Sequence, residues 1–233
     1  MKIRFQYSYF LALAVLFVSC AEDNYTEPKA NLSGRVVYNG EPLGFEFNQV
    51  ALQLWQPGFG KLAAINAPID QEGNFSSILF NGDYKLVFPK GRGPFRTIVQ
   101  DASKKDTVFV TVNGTQQLDI SVEPYYLIKS ATFSGGEKKV SVTAALEKII
   151  KDVDAKEIEN VTLYINQGQF VSRATNIGSK SIGGAEIANL TSINLTVDVP
   201  TILPTQSYVY ARIGVKIKNV EDMLFSAVEK VSL

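Results

Sequence analysis

Short stretches in which apolar and polar residues alternate recur along the chain after residue 30. Val50, Leu52 and Leu54 fall on one side of an extended segment, because successive side chains of a β-strand point to opposite faces. Comparable stretches are LSGRVVY (32–38), FSSILF (75–80), YKLVF (84–88), TVFVTV (107–112), LDISV (118–122), VTLYI (161–165), INLTV (193–197) and VYARIGVKI (209–217). This pattern predicts strands along most of the chain.

Residues that favour turns separate these strands. DQEGN (70–74) and NGD (81–83) each stand between two predicted strands. Asn113-Gly114 follows the strand that ends at Val112 and predicts a β-hairpin with the strand that starts at Leu118. Frequent short strands with short turns predict antiparallel sandwiches rather than alternating strands and helices.

The segment after residue 140 is compatible with two patterns. VSVTAAL (140–146) alternates over its first half, which predicts a strand that runs into a loop containing AKEIEN (155–160). Apolar residues at 146, 149, 150 and 153 also follow the i, i+3, i+4, i+7 spacing of a helix. A short helical turn is therefore the alternative.

A break in composition at Pro124 divides the chain into two parts of domain size, 31–123 and 124–233. The chain is 45% hydrophobic, which is enough for two cores. We expect Tyr125 and Tyr126, directly after the break, to pack between the domains. The predicted fold class is all-β with two β-sandwich domains, arranged either as a rigid rod or with a hinge at Pro124.

The first 30 residues carry signals for export. Lys2 and Arg4 precede the apolar stretch FLALAVLFV (10–18), which is too short for a membrane-spanning helix of about 20 residues. A basic start, a short apolar core and a small residue, here Ser19, are typical of a secretory signal peptide. Residues 1–19 are therefore predicted to be a signal peptide.

Cys20 is the only cysteine and directly follows this predicted signal peptide. Its surroundings resemble the lipobox of bacterial lipoproteins, although Phe17 stands where that motif usually has Leu. The resemblance implies that Cys20 carries the lipid anchor, with more than one acyl chain for stable attachment. An ordinary signal peptide with an incidental cysteine is the alternative.

Residues 20–30 then form a tether that contains little to pack. Glu22 and Asp23, directly after the cysteine, resemble the surface-export signal of Bacteroidota lipoproteins. That resemblance implies a position on the outer face of the outer membrane. A merely solvated tether is the alternative.

Composition excludes several kinds of chemistry. The 23 basic and 23 acidic residues balance, which gives no electrostatic reason to expect a nucleic acid partner. The chain has no histidine, so triads and zinc sites that need one are excluded. It has neither a P-loop nor a dinucleotide-binding glycine pattern. We therefore expect no catalytic residues, no metal and no cofactor.

Four motifs in the first part of the chain occur in a recognisable order. They are Gly34-x-Val36, Gly40-Glu41-Pro42-Leu43, Asp70-x-x-Gly73-x-Phe75 and Gly82-x-Tyr84-x-Leu86. The series resembles the carboxypeptidase regulatory-like (transthyretin-like) domain, where Asp-x-x-Gly-x-Phe is a hairpin turn into a core aromatic residue. The resemblance implies a transthyretin-like β-sandwich over residues 31–123.

Longer segments resemble a family of uncharacterised Bacteroidota lipoproteins. They are LWQPGFG (54–60), PIDQEGNFSSILFNGDYKLV (68–87), GRGPF (91–95) and VEPYYLI (122–128). In that family an immunoglobulin-like domain follows, and PTQSYVY (204–210) resembles a turn of fibronectin type III domains. The resemblance implies such a domain over 124–233 and an association with outer-membrane glycan-uptake systems, but no established activity.

Trp55 is the only tryptophan and is predicted to face outward, because Val50, Leu52 and Leu54 occupy the core face. It leads into a turn that contains Phe59. The apolar face of an exposed indole ring is suited to stacking on a sugar ring. Trp55 and Phe59 are therefore candidate ligand-binding residues.

The segment GRGPFR (91–96) combines an aromatic ring with donors. Phe95 lies between Arg92 and Arg96, and guanidinium groups bind hydroxyl or carboxylate groups in forked geometry. All three are further candidate ligand-binding residues. For each aromatic candidate, the alternative is packing over the end of its own sandwich or against the other domain.

Two acidic motifs complete the candidate chemistry. Asp106-Thr107-Val108 resembles the O-glycosylation site of Bacteroidota proteins, with Thr107 as the acceptor. The acids between 152 and 159 lack the spacing of a calcium loop and are predicted to form a solvated charged loop.

The sequence supports two functional hypotheses. The first is a non-catalytic, lipid-anchored outer-membrane protein that binds glycan or assists a glycan-uptake complex. The second is a structural spacer, adhesin or protein-docking scaffold without a sugar ligand. A small glycosidase that uses carboxylates is the least supported, because no motif places an acid pair.

Overall fold

The structure is a computed structural model and describes residues 26–58, 61–98 and 107–233. The predicted signal peptide, Cys20 and Phe59 lie outside these residues. The described part is almost entirely β-structure, with one short 3₁₀ helix at Gly184–Glu186. Within these ranges, no helix has the length and apolar character needed to span a bilayer.

The first ten strands form two sheets with the apolar residues between them. They are β1 (Ala30–Tyr38), β2 (Glu41–Pro42), β3 (Ala51–Trp55), β4 (Ala64–Pro68), β5 (Asn74–Leu79), β6 (Gly82–Val87), β7 (Phe95–Thr97), β8 (Thr107–Val112), β9 (Thr115–Gln117) and β10 (Ile120–Pro124). One sheet is centred on β1, which pairs with β5 and β9 along its first part and with β2 and β10 along its second. The other sheet has the order β4-β3-β6-β8.

The remaining strands form a second pair of sheets. They are β11 (Tyr126–Gly136), β12 (Lys139–Lys148), β13 (Ile158–Asn166), β14 (Gly178–Gly183), β15 (Ile193–Asp198), β16 (Tyr208–Ile217), β17 (Met223–Phe225) and β18 (Glu229–Ser232). One sheet has the order β11-β12-β15. In the other, β13 lies between β14 and β16, and β16 also pairs with β17 and β18. The all-β, two-domain fold class predicted from the sequence is therefore confirmed.

Most strands were predictable because one of their faces is buried. Leu52 and Leu54 on β3 are almost completely buried, and DQEGN forms a turn in which the Asp70 side chain accepts hydrogen bonds from the backbone amides of residues 72 and 74. That turn leads into the buried ring of Phe75. The helical alternative after residue 146 is wrong, since β12 continues to Lys148 and an irregular loop follows.

The hairpin predicted at Asn113-Gly114 is wrong. β8 pairs with β6 in one sheet, whereas β9 and β10 pair with β1 in the other. The Asn-Gly turn therefore carries the chain from sheet to sheet. The pairings of β1 with β9 and β10 are parallel, so this sandwich is not purely antiparallel as predicted.

The second domain is covered on an outer sheet face by the first domain. Strand β16 is buried on both faces, with Ala211 and Ile213 directed between the sheets and Arg212 directed outward. Arg212 has no exposed surface, and arginine is almost never fully buried unless its donors are paired. The first domain supplies most of those partners.

The Arg212 guanidinium connects both domains. Its Nη1 donates to the carbonyl oxygen of Phe45 at 3.0 Å and to Oε1 of Gln71 at 3.2 Å. Its Nη2 donates to the Gln71 carbonyl at 3.1 Å, and its Nε donates to the Ser226 carbonyl at 2.8 Å. The guanidinium carbon also lies 4.7 Å from the ring centroid of Phe225. Burial lowers the pKa of Arg212 to about 10, so the group stays charged at neutral pH.

Backbone contacts fix the same junction. Gly44 of the first domain forms a β-bridge with Phe225, whose N–H donates to the Gly44 carbonyl at 2.9 Å. A Cβ atom on Gly44 would lie 2.4 Å from the Phe225 carbonyl oxygen, so only glycine permits this approach. Directional buried contacts of this kind favour the rigid arrangement over a hinge at Pro124.

Replacing Arg212 with Met is expected to lower the free energy of unfolding by about 3–5 kcal/mol, because three buried acceptors and one partly buried acceptor lose a charged donor. Urea unfolding followed by tryptophan fluorescence measures the change. Arg35→Met is the matched control, since Arg35 makes an exposed ion pair with Asp119, and it should have a much smaller effect. Equal losses in the two variants would contradict the role of Arg212.

Candidate functional site

A groove of about 960 Å³ lies where the two domains meet. The first domain contributes the segment 88–97, and the second contributes Tyr125, the loop 153–157 and the turn at 218–219. Clefts between domains are preferred positions for ligand sites. This groove, called the junction groove below, is the candidate functional site.

Two glycines shape the wall contributed by the first domain. Gly91 and Gly93 have φ values of 80° and 82°, which favour glycine because a Cβ atom is strained in this region. A Cβ atom on Gly93 would also lie 2.3 Å from the Phe95 ring. The GRGPF segment therefore curls tightly and directs Phe95 inward.

Phe95 is buried and packs within its own sandwich, which is the alternative given above for this residue. Only 5% of Phe95 is exposed. Its ring makes edge contacts with Phe88, at a centroid distance of 4.8 Å, and with Phe45, at 5.9 Å. Phe95 therefore forms part of the floor of the junction groove, and its ring face is covered by core residues.

Arg92 holds the groove wall to the second domain. Its Nη1 lies 2.7 Å from Glu221 and its Nε lies 3.1 Å from Asp222. Its Nη2 donates to the backbone carbonyl of Gln49. Because most of its donors are already paired, Arg92 positions the groove rather than offering an open guanidinium group.

Arg96 makes a second link between the domains. Its Nη2 lies 2.5 Å from Glu123, and its Nη1 lies 2.9 Å from both Asp152 and Asp154. Hydrogen bonds to these carboxylates raise the pKa of Arg96. Two acids of the loop predicted to be solvated therefore bind Arg96 and fix the loop beside the groove.

Three lysines give the groove its unmatched charge. Lys90, Lys156 and Lys218 line it, and in the described ranges none of them has an ion-pair partner. Lys156 Nζ lies 5.5 Å from the ring centroid of Tyr125. Burial raises the pKa of Tyr125, so its hydroxyl stays protonated. The groove therefore presents donors that bind the oxygen atoms of a ligand.

Asp222 is a buried acid behind this wall. Its Oδ2 accepts a hydrogen bond from the Gly93 N–H at 2.8 Å and lies 3.1 Å from Nε of Arg92. Its Oδ1 is buried without a hydrogen-bond partner in the part of the chain that the structure describes. Burial raises the pKa of Asp222, which means that the folded protein binds this proton more tightly than the unfolded chain.

Asp222 therefore contributes stability that is present in acid and is lost as the pH rises through its raised folded pKa. The difference in unfolding free energy between the wild type and Asp222→Asn should fall as the pH is raised from about 4 to 7. Urea unfolding at several pH values measures it. A difference that rises with pH would contradict this assignment.

Trp55 does not line the junction groove. It is half-buried at the end of β3, on the face opposite Leu54, so its predicted outward direction is confirmed. Cross-strand pairing places it beside Lys85, which lies opposite Phe109. Lys85 Nζ is 5.9 Å from the Phe109 ring centroid. The outer face of this sheet therefore presents two aromatic residues on either side of a lysine.

Several of these side chains were not found from the sequence. Phe109 could have been found from the sequence, because it lies between Val108 and Val110 in a predicted strand and therefore points to the face opposite theirs. Lys156 and Lys218 have no such signal in the local sequence, because only the folded structure brings them to the same groove. Thr107 begins β8 and is half-buried, and its role as a glycosylation acceptor stays a prediction.

Two family models match this chain, and the boundary between them coincides with the boundary between the two sandwiches. Residues 30–123 match the N-terminal domain of the DUF3823 family, a protein of unknown function, and residues 126–230 match the domain of unknown function DUF3823_C. The chain belongs to the DUF3823 family. No curated protein sequence matches it significantly.

Similar solved structures include proteins from Bacteroides and Parabacteroides species. A DUF3823 family protein from Bacteroides ovatus is 29% identical, with a TM-score of 0.76 over 88% of this chain and 100% of that one. A DUF3823 family protein from Parabacteroides merdae is 26% identical, with a TM-score of 0.76 over 89% and 100%. A Bacteroides uniformis protein named "putative carbohydrate binding protein" is 18% identical, with a TM-score of 0.69 over 89% and 100%, and shares the fold.

Proposed function

We propose that this protein is a non-catalytic surface lipoprotein of the outer membrane that binds glycan in the junction groove. The observation that carries the proposal is the groove itself, which is lined by Tyr125 and by three lysines that have no carboxylate partner among the described residues. The name of the Bacteroides uniformis protein, "putative carbohydrate binding protein", is consistent with it. In this proposal the first domain is transthyretin-like and the second immunoglobulin-like.

The chemistry of the groove supports binding rather than turnover. Ammonium and phenol groups donate hydrogen bonds to hydroxyl and carboxylate oxygens of a sugar, and an aromatic ring packs against its C–H groups. The carboxylates in the lining are engaged, since Asp154 binds Arg96 and Glu157 binds Lys148. Neither is placed as one member of an acid pair across a cleft.

The proposed anchor fits the position of the first strand. β1 begins at Ala30, about ten residues after Cys20. A fully extended chain of that length spans at most about 35 Å. A lipid on Cys20 would therefore hold the domains close to the membrane, with room for a polysaccharide or an uptake complex to reach them.

Glycan binding is testable by affinity electrophoresis in gels that contain polygalacturonate, chondroitin sulfate, xyloglucan or mucin. The double variant Lys156→Ala/Lys218→Ala should weaken retardation by about tenfold or more, because two charged donors are lost. Lys129→Ala/Lys180→Ala is the matched control, since it removes the same charge from the second domain outside the groove. Trp55→Ala should retain binding, because Trp55 lies outside the groove.

If no polysaccharide retards the wild-type protein, the glycan proposal is wrong. The second candidate, a spacer or docking scaffold, is favoured by the rigid junction around Arg212. Pull-down from outer membranes without added sugar separates the two functions. In this pull-down a scaffold should recover a stable protein partner, whereas a protein that binds only glycan should recover none.

The anchor is tested by metabolic labelling with an alkyne fatty acid. Cys20→Ser should abolish labelling and release the protein from the membrane fraction, because the thiol is the proposed attachment atom. Ser19→Ala keeps a small residue at the predicted cleavage site and should label normally. Equal labelling of Cys20→Ser and the wild type would exclude the lipoprotein assignment.

A further inference from the structure

Two exposed phenylalanines from different domains touch each other at the junction. Phe47 is 42% exposed and Phe170 is 54% exposed. Their ring centroids lie 4.9 Å apart at an interplanar angle of 63°. Single exposed apolar residues are common on protein surfaces, whereas these two rings form one contiguous apolar surface from two domains.

A pocket of about 370 Å³ lies beside these rings. Its polar lining comes from Glu46, Gln49, Gln71, Ser172 and Thr175. The Ser172 hydroxyl accepts hydrogen bonds from the backbone N–H groups of residues 174 and 175, which leaves its proton for donation. An aromatic wall with hydroxyl, amide and carboxylate groups around it matches both the apolar and the polar faces of a sugar ring.

Buried contacts beside each ring hold the pair in place. Glu46, next to Phe47, is 4% exposed, and its Oε2 lies 2.9 Å from Nε and 2.7 Å from Nη2 of Arg173 in the other domain. On both sides of Phe170, Gln71 of the first domain binds the Gln169 carbonyl at 3.1 Å and the Val171 N–H at 3.2 Å. The rings are therefore pre-organised, which lowers the entropy cost of binding a ligand.

The pocket borders the junction groove. Gln49 lines the pocket, and its backbone carbonyl accepts a hydrogen bond from Arg92, which lines the groove. Arg92 of the groove is therefore in direct contact with Gln49 of the pocket.

We propose that the Phe47–Phe170 pocket is a second subsite for the same glycan, and that it takes one sugar residue with its apolar face on the aromatic pair. The ring hydroxyls of that residue bind Gln49, Ser172 and Thr175. This inference rests on the proposed glycan-binding function. It adds that the binding site extends along the domain junction and prefers long chains over short oligosaccharides.

Affinity electrophoresis with the four polysaccharides named above tests the subsite. Phe47→Ala and Phe170→Ala should each weaken binding about fivefold, the size expected for the loss of one aromatic contact. Phe47→Leu and Phe170→Leu keep apolar volume but lose the ring, and they should show the same loss. Phe170→Trp keeps an aromatic ring and should bind as tightly as the wild type. Ile78→Ala and Leu203→Ala are matched controls, since both side chains are exposed and lie outside the pocket.

The outcomes distinguish the subsite from the proposed function. If the groove variant Lys156→Ala/Lys218→Ala loses binding but the Ala and Leu variants of Phe47 and Phe170 bind normally, the subsite is wrong and the glycan function stands. If the phenylalanine variants lose binding and the groove variant does not, the pocket is the main site and the groove assignment is wrong. If no polysaccharide binds the wild type, both proposals are overturned. Thermal unfolding of each variant identifies any loss that comes from misfolding.

Discussion

The arrangement of the two domains depends on one buried guanidinium group. Arg212 lies on the outer face of a sheet of the second domain and has no exposed surface, because carbonyl and amide oxygens of the first domain surround it. A buried cation is costly unless all its donors are paired. Only a narrow range of domain orientations pairs all these donors. The buried charge of Arg212 therefore also specifies how the two domains are oriented.

Both candidate ligand surfaces follow from that geometry. The junction groove combines the segment 88–97 of one domain with Tyr125 and two lysine-bearing loops of the other. The Phe47–Phe170 pair exists only because the domains meet beside Glu46 and Gln71. Neither domain alone carries a complete site. Membership of the DUF3823 family does not define a ligand. Both candidate ligand surfaces lie at the domain junction.

The accuracy of the sequence predictions varied with burial. Strands with one buried face, such as β3 and β15, were found because their apolar residues alternate. The long strand β11 was missed, since only Tyr126 on it is buried and its other residues carry no clear alternation. The hairpin at Asn113-Gly114 was assigned wrongly because a local turn signal does not specify which sheet the following strand joins.

The sequence by itself determined an all-β chain, the division near Pro124, and the lack of any histidine-based chemistry, because periodicity and composition are local or global properties of the chain. The tertiary structure decided which rings and charges are accessible. Phe95 was a candidate for binding and is buried, whereas Phe170 carried no signal and is exposed. Arg92 and Arg96 are occupied by carboxylates that are distant in sequence. Accessibility depends on contacts between residues far apart in the chain, which no local pattern records.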